Sequence, residues 1–580
     1  MSKIKYILII LLSFLVISCN NSENNIADSS NSLTIDESTT EDDSSTIIEE
    51  SSSDVKYEKD EEGFYILEDD YFKDDNVDDG LPKSSIKYAK EIDASYRSKD
   101  MRLFVGSNNI PLYSCKSNYS HTWNPNPTQR IDNGVGIIEL DGKVTLKLQT
   151  SFAILGRCTI RPLGANIIPI IDENRRVVTF TIDSPGNYTI DFRSDRTLHL
   201  FVNKKGEFDS YKQDSNVILF EAGIHNKSND SRINNRNEIT LQSNTTVFVE
   251  YGAIVQARFV ANSKNNIKMV GGGIIDGRKF DRNADTGAVT VPYDFNYCNK
   301  LLFKGIVTTD PAGWCYNLYF SKNIELDNIK IISSRSNGDG ISLQSCEDVY
   351  AHDCFVRTWD DSLVVKNYPR WQNKDNEGAT RNILFEDCII WTDLAQSMEI
   401  GFETIGEVMD NIKFNNITVL HNFHKAVISI HNANNANLTN VEFTNITVED
   451  ASMGKGDGNN VLIDFSTAFS STWSTNHKTT ALGSIDGVLV ENVNVLSANN
   501  PKVSILGYHD SRDNTDHFIN NVTIKNVSIA GVLLDENYDK LETNNLVTNL
   551  SFKNDNKITG ATINKEDTSS YGSGINVVAI

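Results

Sequence analysis

Basic residues are in short supply. Lysine and arginine number 54 against 78 aspartates and glutamates, for a formal charge of −24. A nucleic-acid surface needs clustered Lys and Arg, so that partner class is excluded. Proline (11) and glycine (34) are too sparse among 580 residues for collagen, and 39% hydrophobic residues exclude a chain disordered throughout. The same composition excludes a multi-span membrane protein. The apolar run Tyr6–Ile17 is too short to cross a bilayer as an ordinary helix. Methionine is scarce at six while asparagine is common, which favours turns and strands over helices.

The acidity is local. Residues 20–80 hold 21 acidic residues and three lysines, which leaves a balance of −8 on the 500 residues that follow. The charge therefore describes a tail and says little about a substrate. Lys3 and Lys5 precede the apolar run, as in the n- and h-regions of a secretory signal. Val16-Ile17-Ser18-Cys19 resembles a bacterial lipobox. That resemblance implies removal of residues 1–18, acylation of Cys19 and tethering to a membrane through lipid chains. Asn20 in the next position implies the outer membrane or cell surface. Residues 19–90 read as an acidic spacer rich in Ser, Asn and Asp. Within it, Asp74–Gly80 has the look of a calcium loop, but Val77 stands where an oxygen ligand is needed, so this too reads as linker. Seven cysteines remain after Cys19, and an odd count leaves at least one thiol free.

An octad recurs seven times in the C-terminal half, beginning at Ile324, Val349, Ile383, Ile412, Val441, Val488 and Val522. Positions 1, 3, 6 and 8 are apolar, or cysteine at position 6 in two copies. Position 5 is Asn or Asp. Positions 1 and 3 alternate inward on one strand, and 6 and 8 on the next. Position 5 is the corner, where Asn and Asp tolerate a left-handed backbone. Copies lie 25 to 47 residues apart, the length of one β-helix coil with loops of variable size. Cys354 and Cys388 occupy position 6 and should pack as small apolar residues inside neighbouring coils rather than pair as a disulfide. Further upstream, alternating runs such as Val144–Leu148 and Val177–Ile182 are separated by turn residues, the pattern of an antiparallel sandwich. The chain is thus expected to be all-β: a β-sandwich over 91–215, then a right-handed parallel β-helix over 216–580.

Two segments depart from the bland repeat: Ser336-Asn337-Gly338-Asp339-Gly340 and Thr358-Trp359-Asp360-Asp361-Ser362. By repeat register they fall on consecutive coils, about 4.8 Å apart. Three carboxylates would share one patch, and mutual repulsion would keep a proton on at least one of them near neutral pH. An acid beside ionised bases is what inverting glycosidic hydrolysis needs. Asp is also common at β-helix corners, as at Asp353 and Asp387, but Asp360 and Asp361 lie beyond the octad.

These motifs are similar to those of two related families. In glycoside hydrolase family 28, the polygalacturonases, three Asp come from an Asn-Thr-Asp-Gly motif and an Asp-Asp pair on the next coil. Asn337–Gly340 and Asp360-Asp361 match them, with Gly338 in place of Thr. That family's Gly-His-Gly and Arg-Ile-Lys motifs correspond here to Ser397–Phe402 and Ile428–Asn432, without the His between glycines or the basic pair. Glycoside hydrolase family 49, dextranases and isopullulanases, resembles the chain better overall. Its members place a β-sandwich before a right-handed β-helix. Cys158–Pro162, Gly271–Gly277, Ser397–Phe402 and Val419–His421 are similar to its segments. The resemblance implies Asp360 as general acid, Asp339 and Asp361 as the pair activating water, inversion at the anomeric carbon, and no metal or other cofactor.

Trp359, Lys366, Glu399 and His431 are candidate substrate contacts, and Trp314, Tyr368, Trp371 and Trp391 candidate subsite linings. The expected partner is a polysaccharide, with the membrane reached through Cys19 and the protein itself a monomer. A pectin hydrolase, a β-helix lyase holding calcium on the three Asp, and a non-catalytic glycan binder remain open alternatives. The loops after 367 and 449 are expected to set linkage and mode.

Overall fold

The computed structural model describes residues 57–555, apart from 69, 74–84, 119–129, 193–195, 282–289, 369–376, 423, 452–460, 477–479 and 499. Cys19 with its signal, Asp74–Gly80, Trp371 and most of the loops after 367 and 449 lie outside the described residues.

The octad explains the larger part of the molecule. Position 1 of each copy stacks on position 1 of the next: Ile324, Val349, Ile383, Ile412, Val441, Val488 and Val522 are in direct parallel register. The corner residues Asn328, Asp353, Asp387, Asn416, Asn445, Asn492 and Asn526 all have φ between 51 and 56°. A second left-handed column precedes position 1, including Asn323, Asp348, Asn382, Asn411, Asn440 and Asn521. Its side chains bond up the stack, as where Asn382 donates to Asp348 at 2.8 Å and Asn411 to Asn382 at 2.9 Å. Stacked Phe385, Phe414 and Phe443 at position 3 lie 5.0 and 4.9 Å apart. Each such buried apolar side chain contributes about 1.5–3 kcal/mol, but only when the next coil covers it. Among the described residues the octads fall in a 22-stranded sheet that begins at Val217–Phe220, and a third face of the coils adds 11 parallel strands, from Glu238–Thr240 to Leu541–Thr543. This is the expected right-handed parallel β-helix.

The sandwich pairs a six-stranded with a five-stranded sheet over a core that includes Leu103, Leu146, Leu148, Phe180, Ile190 and Leu200. Pairing is antiparallel except between Ile131–Asp141 and Thr197–Lys204, which run parallel. Ordered structure reaches into the stretch expected as spacer. Ser85–Tyr88 is a strand of the six-stranded sheet, and Phe64 is buried. The sandwich lies against the β-helix. Tyr113, Val135, Ile137 and Phe201 pack on Ile254, Ile274, Val307, Ile332, Phe355, Trp391 and Leu420. All seven cysteines from Cys115 onward are buried thiols outside any disulfide, with Cys354 and Cys388 inside the coils.

Candidate active site

The two Asp-bearing turns precede neighbouring strands of the third face, Ile341–Gln344 and Leu363–Asn367. Gly340 N–H donates to the Asp361 carbonyl at 2.9 Å, so the turns are stacked. The first turn is tight. Asn337 has φ 48°, and Gly338 N–H donates to Arg335 O at 3.0 Å. A Cβ at 338 would lie 2.0 Å from Ser333 Oγ and 2.7 Å from Arg335 O. That crowding is the local reason Gly stands where the family pattern has Thr.

Asp360 joins the turns. Its Oδ2 accepts the Asn337 N–H at 2.8 Å, and its Oδ1 accepts the Asp361 N–H at 3.1 Å. Asp361 Oδ1 accepts the Gln396 N–H at 3.0 Å. Asp339 Oδ1 is buried with no hydrogen-bond partner among the described residues, and Oδ2 lies 3.9 Å from Lys366 Nζ. Asp339 is 2% exposed, against 9% for Asp360 and 8% for Asp361. Burial pushes the Asp339 carboxyl well above the usual carboxylate range and the Asp360 charge adds to it, while Lys366 opposes. Burial, then Asp360 and Glu399, push Asp361 up to about 8. Carboxyls this close titrate as a unit, so their protons belong to the cluster. The crowding expected from the motif spacing is present.

Lys366 and Glu399 lie on neighbouring strands of the third face, Leu363–Asn367 and Met398–Thr404. Burial disfavours the Lys366 charge, but Glu403 (3.1 Å), Asp339 and Asp361 outweigh it and keep the ammonium charged. Its Nζ also lies 4.7 Å from the Trp314 ring centre. Glu399, fully buried, accepts from Ser429 Oγ and from His431 Nδ1 at 2.8 Å. His431 Nε2 faces Asp464 Oδ2 at 3.3 Å. Burial opposes the His431 charge, but Glu399 and Asp464 overcome it and lift the imidazole to about 10. Both ring nitrogens therefore donate.

Several expectations need correction. Glu399, a candidate substrate contact, is 0% exposed with both carboxylate oxygens engaged by Ser429 and His431, so it offers a sugar no free oxygen. Trp359, a candidate sugar contact beside the Asp pair, is 0% exposed, so its ring has no free face for a sugar. Trp391 is also fully enclosed; its indole N–H donates to Asp393 at 2.7 Å under the sandwich. Tyr368 is 2% exposed, while Trp314 keeps a partly open ring.

The sequence reading missed how the turns are braced. Arg357, two residues before the Trp359–Asp361 turn proper, is 0% exposed. It contacts Asp393 at 3.3 Å and, across the interface, Thr197 and His199 of the sandwich at 3.1 Å each. Burial, then Arg357, keep His199 neutral, so Nε2 accepts and Nδ1 donates to Thr189 at 2.9 Å. Arg130 and Arg335 grip Asp310 at 2.6 and 2.8 Å just before the Asp339 turn. Arg161, from the Cys158–Pro162 motif, bonds Asp191 at 3.0 Å and Glu449 at 2.6 Å. One signal for this interface was readable. The residue after the octad points outward, yet it is Ile332, Trp391 and Leu420 in three copies, which requires a cover.

The profile of glycosyl hydrolases family 28 matches residues 220–532. A polygalacturonase from Brassica napus is 29% identical over 141 residues, 22% of this chain. That match spans 35% of the relative's own length. Among solved structures, Dex49A from Penicillium minioluteum superposes with a TM-score of 0.54 over 80% of this chain and 96% of its own, at 11% identity. An exopolygalacturonase from Thermotoga maritima gives 0.40 over 59% and 86%, at 16% identity. The likeness to Dex49A is one of fold, and it covers sandwich and β-helix together. The sequence likeness covers more than half of the chain, including both Asp turns, and on it this protein belongs to glycosyl hydrolases family 28.

Proposed function

We propose that the protein hydrolyses α-glycosidic bonds of a neutral polysaccharide, an α-glucan of the dextran type, with inversion. The observation that carries this reading is the aspartate trio on stacked turns, beside cations that are each already neutralised. Asp360, the most exposed of the three, donates its proton to the leaving oxygen. Asp339 and Asp361 take a proton from water on the opposite face of the sugar. The carboxyls titrate as a unit, and the cluster holds a proton up to about 8, which keeps an acid available near neutral pH beside ionised carboxylates that serve as base. Each turnover leaves acid and base exchanged, and proton transfer within the coupled cluster resets them.

Family 28 membership and the Brassica napus relative favour a second reading, a pectin-type hydrolase acting on galacturonate. A uronate needs an uncompensated cation. In the stretch similar to the Arg-Ile-Lys motif, Ser429 and His431 stand at the outward positions, and His431 is held between Glu399 and Asp464. Lys366 is likewise shared by Glu403 and Asp339. These pairings support the neutral substrate, as does the fold likeness to Dex49A. The lipobox supports anchoring through Cys19 at the cell surface, testable by labelling with a clickable fatty acid in wild type and Cys19→Ser.

The test is product analysis on neutral and acidic polysaccharides, with and without EDTA, with NMR of the first-formed anomer. Inverted sugars from an α-glucan, absent in Asp360→Asn and indifferent to EDTA, are expected. Galacturonate release would establish the second reading. Unsaturated products requiring metal would overturn both.

A further inference from the structure

Downstream of the trio, one element has no part in the proton chemistry. Phe402 lies parallel on the His431 ring, with centroids 4.2 Å apart and planes 5° from parallel. It also lies against Trp473 at 5.7 Å and 25°. Both Phe402 and Trp473 keep part of their surface open, whereas Glu399, Ser429 and His431 around them are buried. An imidazolium under a phenyl ring fixes that ring by cation–π attraction.

Trp473 is held as firmly. Its backbone N–H donates to Ser470 Oγ at 3.2 Å, and the next residue, Ser474, donates to Ala433 O and accepts from Asn434 Nδ2 at 3.4 Å. The Trp473 loop is thereby tied to the turn that follows the His431 strand. The location is close to the chemistry. Glu399 is in direct register with Val364, three residues after Asp361, and Phe402 lies three residues beyond Glu399 on the same strand. Partly exposed, rigidly held aromatic side chains beside a cleavage site suit the C–H face of a pyranose. Asp464, 25% exposed, can accept hydroxyls there. Glu399 and Asp464 outnumber the one imidazolium, so a uronate would meet net negative charge.

We propose that Phe402 and Trp473 form a sugar-stacking subsite that takes a neutral pyranose unit of the substrate next to the trio. This rests on the reading of the trio as a glycoside-hydrolase site and adds the class of sugar and its residues.

The test uses the full chain carrying Asp360→Asn, which binds without turnover. Tryptophan fluorescence is titrated with α-1,6-linked gluco-oligosaccharides and, separately, with galacturonate oligomers. Gluco-oligosaccharides should bind. Trp473→Ala should weaken that binding about tenfold, the scale of one aromatic stacking contact. Trp473→Phe should restore most of it, and Phe402→Leu should weaken it independently. Undiminished affinity in both Trp473→Ala and Phe402→Leu would overturn the subsite even if the wild type hydrolyses dextran. Trp473-dependent binding of galacturonate oligomers instead would overturn the neutral class. Trp473-dependent binding of gluco-oligosaccharides by a chain that cleaves no α-glucan would support the subsite while defeating the hydrolase reading.

Discussion

Two clusters of buried carboxylates, built from the same residue types, differ in the cations that face them. Under the sandwich, Asp191, Asp393, Glu449 and Asp450 meet Arg161, Arg357 and His421. Burial pushes Asp191 up, but the His421 hydrogen bond and the Arg161 charge outweigh it and hold that carboxyl below the usual range. On the third face of the β-helix, Asp339, Asp360 and Asp361 crowd together with Lys366 as the nearby cation, and Asp339 and Asp361 are pushed up. Burial also pushes Asp393 and Glu449 of the first cluster up, against Arg357 and Arg161, so the contrast lies in the cations at hand and not in every carboxyl's shift. A saturated cluster is a structural joint, whereas a starved one stores reactivity at the expense of stability. The two are also connected, because Arg357 of the joint lies three residues before Asp360.

The sharpest way to test the contrast is to remove one group from each. Asp360→Asn should lower kcat by roughly 10²–10⁴-fold, the usual worth of a positioned general acid, with the circular dichroism spectrum unchanged. In the joint, Arg357→Met strands Asp393 and should destabilise the fold by about 3–5 kcal/mol, read from denaturant or thermal unfolding. In the starved cluster the sign reverses. Asp339→Asn removes a carboxyl with an unpartnered oxygen, so it should raise stability at pH 7 by on the order of 1 kcal/mol while activity is lost. If both Asp339→Asn and Asp393→Asn destabilise, the contrast fails.

Proton linkage gives the same contrast a pH axis. Asp339 and Asp361 titrate higher in the fold than in the unfolded chain. Their contribution to stability is full below the unfolded carboxylate pKa of about 4 and declines as pH rises toward 8. Asp191 titrates lower in the fold, so its contribution is present above about 4 and is lost in acid. Asp361→Asn should therefore flatten the stability profile between pH 4 and about 8 and leave its acid limb in place. Activity should fall as pH rises through about 8, where the cluster loses the proton the leaving group needs. The smallest expected effect lies on the coil corners. Asn492→Ala, at φ 56°, should cost about 1–2 kcal/mol in unfolding free energy and leave kcat unchanged.

Much of this was legible because β-helix coils are local and periodic. Apolar residues at positions 1, 3, 6 and 8 and Asn at the corner dictate which side chains face in, so the register of seven coils and the stacking of two Asp turns follow from spacing alone. Other features depend on what covers a surface. Trp359 and Trp391 are aromatic and adjacent to polar motifs in sequence, which suits a sugar contact as well as a buried anchor. Only the sandwich above Trp391 and the enclosure of Trp359 distinguish the two. The same holds for charge. Asp361 and Asp393 are each a carboxylate beyond an octad, yet one meets Arg357 and the other meets Asp360. Sequence by itself determined the coil, its corners and the candidate trio, since these arise from periodicity within the chain. Tertiary structure decided which buried charges are paired and which ring faces stay open, since partners such as His199 and Arg357 lie 158 residues apart and meet only when one domain covers the other.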